Sequence, residues 1–540
     1  MAGPNISRRA ILDTALATAA AAAVGGCVSQ QGAAVDVPRF EFEEMSIADL
    51  QSAMQSGQLT SKSLTNAYLD RIAALDRRGP RLNHVIETNP DAMEIAAALD
   101  AERKAKGPRG PLHGIPILVK DNIDTADRMH TSAGSLALAG SIVPRDAFLI
   151  ANLRRAGAVI LGKANMSEWA NFRSAHSSSG WSGRGGQAKN PYALDRTPSG
   201  SSSGSAGAVA ANMCAVAIGT ETDGSIVSPS SCCSVVGIKP TLGLVSRAGI
   251  VPIAHSQDTA GPIARTVADA AALLSAIAGA DPADAATQAS RVEKDYTRFL
   301  DKAGLRGARI GIARSECFHF DPPVVPILSA AIAAMKEQGA TVVDPIELPT
   351  ADKFGDAEGD VLLYEFKADV NAYLSKLGGD VPARTLEQLI AFNRQHAKEE
   401  MPFFGQELFE KAQAKGGLET PAYVEALAKC RRLTREEGLD AAMQKDRLNA
   451  IVMITGGPPT LIDLVNGDYD SGGSSTLAAV AGYPSITVPA GYVFGLPVGL
   501  SFTGRAWSEG TLLRLAYAFE QATKIRRKPT FRPTAELRAY

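Results

Sequence analysis

The 540-residue sequence predicts an α/β fold in which a mixed central β-sheet is covered by helices on both faces, in a single large domain. Two observations support this prediction. Short apolar runs rich in β-branched residues alternate with helical patterns, an order that is typical of layered α/β folds. Nothing between residues 40 and 540 has the composition of a linker, and a hydrophobic content of 45% is sufficient for one sizeable core.

The predicted elements follow in order along the chain. Ser46 and Thr60 are expected to cap two amphipathic helices, because apolar residues recur three or four positions apart after each of them. The next predicted elements are strands over residues 115–119, 158–161, 215–218 and 235–238, and a helix over 147–155. The more charged part that follows predicts helices over 326–337 and 423–445. The last predicted elements are strands over 448–454, 485–488 and 498–502, and a helix over 511–524.

Composition and charge exclude several classes of function. The chain has 55 basic and 57 acidic residues, so it lacks the excess positive charge that nucleic-acid binding normally needs. The six cysteines have no C-x-x-C spacing and the seven histidines are scattered singly, which argues against a zinc site, a disulfide framework and a metal-dependent hydrolase. We therefore expect a small-molecule or peptide substrate and no metal, cofactor or nucleic acid. We also expect a monomer.

The first 26 residues are predicted to be an export signal. Arg8 and Arg9 precede an alanine-rich apolar run over residues 15–24, as in a twin-arginine signal peptide. That run is too short to cross roughly 30 Å of hydrocarbon. An N-terminal amphipathic helix is the alternative interpretation.

Residues 24–27 are similar to a lipoprotein cleavage box, in which Cys27 would be lipidated and become the mature N-terminus. Residues 27–40 are small and polar and are predicted to form a tether, followed by the folded domain over 41–540. The protein is therefore expected in the periplasm or the outer cell envelope, with the membrane contacted only through a lipid anchor.

Several short motifs suggest other chemistries. Residues 157–164 nearly match a phosphate-binding loop, but Ala164 lacks the hydroxyl that would bind magnesium. Ser202 fits a G-x-S-x-G pattern that does not follow a predicted strand. His113 and His255 could each act as a general base, although single histidines are more often hydrogen-bonded structural residues.

The segment from residue 199 to residue 234 is more informative. It contains two runs rich in serine and glycine, which in isolation would suggest a linker but here lie within a β/α core. Gly224 precedes Ser225, so the backbone can approach a ligand closely at this point. Successive N–H groups over residues 222–225 could hold an oxyanion. The segment thus offers a nucleophile and an oxyanion hole.

A serine nucleophile needs a base, and Lys120 is the candidate. It closes the apolar strand predicted over 115–119, where burial would lower the pKa of its amine and make a neutral lysine available near pH 7. The alternative is a surface lysine whose stem lies along apolar neighbours.

These motifs resemble those of the amidase signature family. Residues 114–122 match its lysine motif, 199–202 its glycine/serine motif and 224–226 its nucleophile motif. Further similar segments cover residues 237–241, 256–262 and 482–489. The resemblance extends over about residues 45–530 and implies the amidase signature fold, with hydrolysis of carboxamide C–N bonds.

The resemblance also implies a Ser-cisSer-Lys triad. Carried over to this sequence, Ser225 is the nucleophile, Ser201 follows a cis peptide bond and bridges the two other residues, and Lys120 is the base. The implied oxyanion hole consists of the backbone amides of Thr222, Asp223, Gly224 and Ser225.

Three positions depart from the family pattern. Asp223 stands in place of a glycine, Ser199 in place of the first glycine of the glycine/serine motif, and Val227 in place of a common arginine. The loss of that arginine argues against substrates that carry a carboxylate.

Residues 165–171 and 179–187 are most similar to the peptide amidase branch, which removes ammonia from C-terminal peptide amides. In this interpretation Trp169, Asn171 and Trp181 contact the substrate. The alternatives are a general acylamidase or fatty-amide hydrolase, a protein like the amide-hydrolysing subunit of glutamyl-tRNA amidotransferase, and a non-enzymatic binding lipoprotein.

Overall fold

A mixed β-sheet forms the centre of the protein. The computed structural model describes residues 35, 37–314, 322–469 and 472–537. Within these residues the strands are β1 (Val85–Thr88), β2 (Pro116–Lys120), β3 (Ser141–Ile142), β4 (Val159–Ala164), β5 (Val216–Glu221), β6 (Val236–Lys239), β7 (Thr259–Ala264), β8 (Arg309–Ala313), β9 (Thr341–Ile346), β10 (Gly378–Gly379), β11 (Ala450–Ile454), β12 (Ser485–Val493) and β13 (Leu496–Thr503).

Eleven of these strands pair in the order β1-β4-β2-β5-β7-β6-β12-β13-β11-β8-β9, and β3 pairs separately with β10. The sheet is parallel across β4, β2 and β5 and again across β11, β8 and β9, and it is antiparallel elsewhere. Every residue of β2, β4 and β5 is buried. Strands covered on both faces carry nearly continuous apolar runs, which is why the sequence revealed them.

Helices cover both faces of the sheet, which confirms the predicted single large α/β domain. Their bounds are Ile47–Gln55, Ser61–Ile72, Ala92–Lys106, Phe148–Arg155, Ser203–Ala210, Val227–Cys232, Val267–Ile277, Val325–Glu337, Gly355–Leu374, Leu386–Gln395, Ala397–Glu400, Glu407–Gln413, Pro421–Arg431, Asp440–Lys445, Thr476–Ala481 and Glu509–Thr523. Ser46 and Thr60 both cap their helices as predicted, each accepting a hydrogen bond from a backbone amide three residues ahead.

The predicted helix over 423–445 is not continuous. Pro421–Arg431 passes into wider π-helical turns over Arg432–Leu439 before Asp440–Lys445. Gly438, with φ −102° and ψ −109°, leaves helical geometry at this point. Glycine can leave helical geometry at little steric cost. The apolar residues keep their helical spacing on both sides of Gly438, so this spacing did not reveal the interruption.

The predicted signal peptide, Arg8, Arg9 and Cys27 lie outside the described residues. Within the predicted tether, the ring of Phe40 packs against Tyr68 with ring centres 5.2 Å apart. Among the described residues, no helix is both long enough and apolar enough to cross a membrane.

Candidate active site

Lys120 lies at the carboxyl end of the central strand β2 and is fully buried. Its Nζ donates to Ser201 Oγ at 2.7 Å, to Thr220 Oγ1 at 2.9 Å and to the Thr220 carbonyl at 3.1 Å. Asn122 Nδ2 also donates to Thr220 Oγ1, at 3.0 Å. Among the described residues, the amine therefore contacts neutral oxygens only, in a buried environment.

This environment changes the protonation of the lysine. Burial lowers the pKa of Lys120 to about 7, while the charges of Glu221 and Asp258 oppose the shift. An ammonium group loses much of its hydration free energy when it is buried without an ion pair, so the neutral form is favoured. A substantial fraction of the amine is neutral at pH 7 and can accept a proton.

Ser201 follows a cis peptide bond from Gly200 and is fully buried. Its carbonyl accepts a hydrogen bond from the Ser167 amide at 3.1 Å. The neighbouring Ser202 places its Oγ 3.0 Å from the Thr220 carbonyl, and its amide donates to the Ser225 carbonyl at 3.2 Å. The serine-rich run is thus fixed between β5 and the loop that follows it, and it is not a linker.

Ser225 lies in the loop between β5 and the helix Val227–Cys232, with 8% of its surface exposed. Gly224 precedes it with φ 75°, a left-handed conformation that favours glycine. A Cβ at Gly224 would also lie 3.0 Å from the hydroxyls of Ser228 and Ser475. The loop turns sharply here and brings Ser225 towards Ser202.

Both ends of this loop are held by buried carboxyls. Glu221 Oε2 accepts from the amides of Ile226 at 2.7 Å and Val227 at 3.0 Å, at the start of the following helix. Thr222 Oγ1 donates to Asp258 at 2.6 Å. Because the sides of the loop are fixed in this way, its backbone amides are preorganised.

The amides of Asp223, Gly224 and Ser225 have no hydrogen-bond acceptor among the residues that the structure describes. Free amides in a tight glycine turn form an anion-binding concavity. They are three of the four amides, those of residues 222–225, that the sequence suggested for an oxyanion hole.

A cavity of about 670 Å³ adjoins the site. Asn122, Thr220 and Thr222 form one wall, and residues 250–253 with Tyr373 form another. Ser201 and Ser225 are not among the residues that line this cavity. The cavity therefore approaches the site from the side of Thr220, the hydrogen-bond partner of the lysine.

The predicted substrate-contact residues occupy three different environments. Trp169 is buried against the ring of Phe409, with ring centres 5.7 Å apart. Asn171 donates to the hydroxyls of Ser177 at 2.9 Å and Ser179 at 3.3 Å. Its Oδ1 would lie 3.1 Å from a Cβ added at Gly200, so Asn171 is the member of the three that reaches the Gly200–Ser201 bond.

Trp181 packs edge-on against Phe403 and Phe404, with ring centres 5.7 and 5.1 Å away. It has 5% of its surface exposed. Its ring joins the segment after the helix Ala397–Glu400 to the loop that contains Ser177 and Ser179.

The two histidines have structural partners. The ring of His113 is fully buried between the Leu99 carbonyl at 2.9 Å and the Arg109 amide at 3.3 Å. His255 pairs with Asp369 at 2.8 Å.

The sequence did not single out Thr220 or Ser167, because ordinary threonine and serine residues carry no signal of the long-range contacts that they make.

Comparison with known proteins places these features in a family. Residues 63–513 match the family profile described as Amidase. A probable amidase of Arabidopsis thaliana is 45% identical over 503 residues, 91% of this chain and 92% of the relative. A glutamyl-tRNA(Gln) amidotransferase subunit of Moorella thermoacetica is 36% identical over 503 residues, 90% of this chain and 98% of the relative.

The X-ray structure of native peptide amidase from Stenotrophomonas maltophilia is 54% identical and superimposes with a TM-score of 0.87, over 91% of this chain and all of the other. The fold and these similarities define an enzyme with a mixed central sheet that hydrolyses amide C–N bonds. The chain belongs to the amidase signature family.

Proposed function

We propose that this enzyme removes ammonia from C-terminal peptide amides through Lys120, Ser201 and Ser225. The contact that carries the proposal is the 2.7 Å distance between Lys120 Nζ and Ser201 Oγ, at an amine whose pKa burial lowers to about 7. A hydroxyl against a neutral amine is the arrangement that general-base catalysis needs.

Acylation begins when Lys120 takes the proton of Ser201 and Ser201 takes that of Ser225. Ser225 Oγ forms a bond to the carboxamide carbon, and the carbonyl oxygen becomes an oxyanion facing the amides of Asp223, Gly224 and Ser225. The C–N bond then breaks as the proton returns from Lys120 through Ser201 to the nitrogen. Ammonia leaves, and an ester to Ser225 remains.

Water completes the reaction by the same path. It gives one proton through Ser201 to Lys120 and attacks the ester carbon, after which the proton returns to Ser225 as the ester breaks. The overall change is one carboxamide and one water to one carboxylic acid and one ammonia.

Two features support a peptide amide as the substrate. The similarity to the peptide amidase from Stenotrophomonas maltophilia extends over most of this chain. In addition, Val227 is fully buried at the first position of its helix, where a cation that could hold a substrate carboxylate would otherwise stand. A neutral terminal carboxamide fits such a site better than a free acid does.

Mass spectrometry of one amidated peptide tests this proposal. We expect a gain of about 1 Da as the terminal amide becomes an acid, with all internal peptide bonds intact. Ser225→Ala should lower the rate by about 10³-fold or more, and Ser375→Ala, which alters an exposed serine, should not. Internal cleavage, or turnover confined to small amides that carry a free carboxylate, would contradict the proposal.

We also propose that the protein is exported, from the paired arginines and Cys27 of the sequence. Cell fractionation should find the wild type outside the cytosol and the Arg8→Lys/Arg9→Lys variant retained within it. An equal distribution of the two proteins would refute export by this route.

A further inference from the structure

Two glutamates and one arginine lie buried together beside the active-site loops. Glu168 has 2% of its surface exposed, and Glu400 and Arg173 have none. Glu168 begins the 3-10 turn Glu168–Asn171, and Glu400 ends the helix Ala397–Glu400. If both carboxyls were ionised, this buried cluster would carry an uncompensated negative charge, which is energetically costly in a protein interior.

The two carboxyl groups face each other across Gly183. A Cβ added at that glycine would lie 2.8 Å from Glu400 Oε2 and 3.1 Å from Glu168 Oε2. Glu168 Oε2 accepts from the Gly183 amide at 2.7 Å, and Glu400 Oε1 accepts from Ser135 Oγ at 3.0 Å and from the Leu136 amide at 2.6 Å. Glu400 Oε2 has no hydrogen-bond donor among the described residues, and a proton between the two carboxyls would supply one.

Arg173 provides the single positive charge. Its Nε lies 2.9 Å from Glu168 Oε1, and its Nη1 donates to the carbonyls of Phe404 and Gly405, each at 3.2 Å. One guanidinium, one carboxylate and one neutral carboxyl make a cluster without net charge.

The other charged groups on the surrounding elements have partners or lie in solvent. Arg184, next to Gly183, pairs with Glu87 and Asp121. Glu407 accepts from Ser174 and Ala175. On the helix that ends at Glu400, His396 stacks on Phe392, and Lys398 and Glu399 are exposed.

This cluster is connected to the active site through one turn. Trp169, Ala170 and Asn171 all have left-handed φ angles, of 49°, 54° and 69°. The turn is preceded by Ser167, whose amide holds the Ser201 carbonyl, and it ends at Asn171, whose side chain lies against Gly200. Residues in this conformation are strained unless surrounding contacts hold them, and Glu168 is anchored within the turn.

We propose that Glu168 and Glu400 share one proton, and that the resulting carboxyl–carboxylate pair is a positioning device that holds this turn against the Gly200–Ser201 segment. Burial and the neighbouring Glu400 raise the pKa of Glu168 well above its ordinary value, which agrees with this arrangement. The positioning role rests on the proposed function of Ser201, whereas the shared proton between Glu168 and Glu400 is independent of that function.

Infrared difference spectra test the proton directly, without substrate. At pH 7 the wild type should show the carbonyl stretch of one protonated carboxyl that is absent from Glu168→Gln and also from Glu400→Gln. Glu399→Gln, at the exposed neighbouring position, should leave this band unchanged. If Glu168→Gln and Glu400→Gln each lose carboxylate bands instead, both groups are ionised in the wild type. If the protonated-carboxyl band persists in one of these variants, a single residue holds the proton. Either result overturns the proposal.

Steady-state kinetics with any carboxamide that the enzyme turns over test the positioning role. Glutamine reproduces the neutral, hydrogen-bond-donating partner, so Glu400→Gln should retain kcat within about threefold, whereas Glu400→Ala should lose about tenfold or more. Loss of the shared proton at alkaline pH should also lower kcat in the wild type but not in Glu400→Gln. Equal kcat values for the alanine and glutamine variants would refute positioning.

These outcomes are distinguishable from failure of the proposed function. If Ser201→Ala proves active, the Ser201 mechanism is wrong while the infrared result stands. If Glu400→Ala does not fold, the spectra and the pH profile of Glu400→Gln still decide the matter.

Discussion

The buried amine of Lys120 predicts a rate that depends on its deprotonation. The pKa of this group is lowered from 10.5 to about 7 by burial. Half of the molecules are then neutral at pH 7 and about 1% at pH 5, so kcat/KM should fall about 50-fold between these values. A lysine with the ordinary pKa of 10.5 would be neutral in only about one molecule in 3,200 at pH 7. Burial therefore raises the fraction of active base about a thousandfold.

The same shift makes folding stability depend on pH. Between about pH 7 and pH 10.5 the folded state lacks a proton that the unfolded chain still binds, so stability rises with pH in this range. The contribution is about 1.4 kcal/mol per pH unit. Lys120→Met has a similar volume and no titratable group, so its free energy of unfolding should lack this contribution.

The assay is kcat/KM for one amide from pH 5 to pH 9, together with urea unfolding of the wild type and Lys120→Met at pH 7 and pH 9. We expect a single ionisation with a midpoint near 7 in the kinetics, and a difference in stability between the two proteins that changes with pH. A rate independent of pH over this range, or a Lys120→Met enzyme within tenfold of the wild type, would refute the assignment of the base.

Two further predictions concern the surroundings of the proposed base, Lys120. Thr220→Val removes the oxygen that accepts from both Lys120 and Asn122, so two buried donors lose a partner, at about 1–3 kcal/mol each, and kcat/KM should fall at least tenfold with one amide substrate. Gly200→Ala would place a Cβ 2.2 Å from Ser167 Oγ, so activity should be lost, whereas Gly110→Ala, where a Cβ meets open space, should be neutral in the same assay. An active Gly200→Ala enzyme would show that this contact is not required.

Much of the fold was accessible from the sequence because its determinants are local. Ser46 and Thr60 each precede a run of apolar residues with helical spacing. The capping residue and the helix that it caps lie within a few residues of each other, so a short stretch of sequence is enough to predict both. The central strands are continuous apolar runs because both of their faces are covered. In contrast, β7 reads Thr-Ala-Gly-Pro-Ile-Ala, and its position in the sheet depends on β5 and β6 and not on its own propensity.

The candidate site was only partly accessible. Lys120 and Ser225 could be found because residues 114–122 and 224–226 match the lysine and nucleophile motifs of the family, and because Lys120 ends an apolar run. The contact between Glu168 and Glu400 joins residues more than 200 positions apart, and neither residue stands out from the other acidic residues in the chain. Such pairings follow from the packing of loops onto the sheet, and no local pattern encodes them.

The surroundings of the buried lysines also explain why Lys120 is suited to the proposed role of base. Lys120, Lys163 and Lys239 are all fully buried, and burial lowers the pKa of each. Burial lowers the pKa of Lys239 to about 8, against the opposing charges of Glu221 and Glu509, which favour its ammonium form, and it lowers the pKa of Lys120 to about 7. Among these three lysines, Lys120 is the one that contacts the hydroxyl of Ser201. A base needs both a lowered pKa and a hydroxyl to deprotonate, and in this sheet the two coincide at the end of β2.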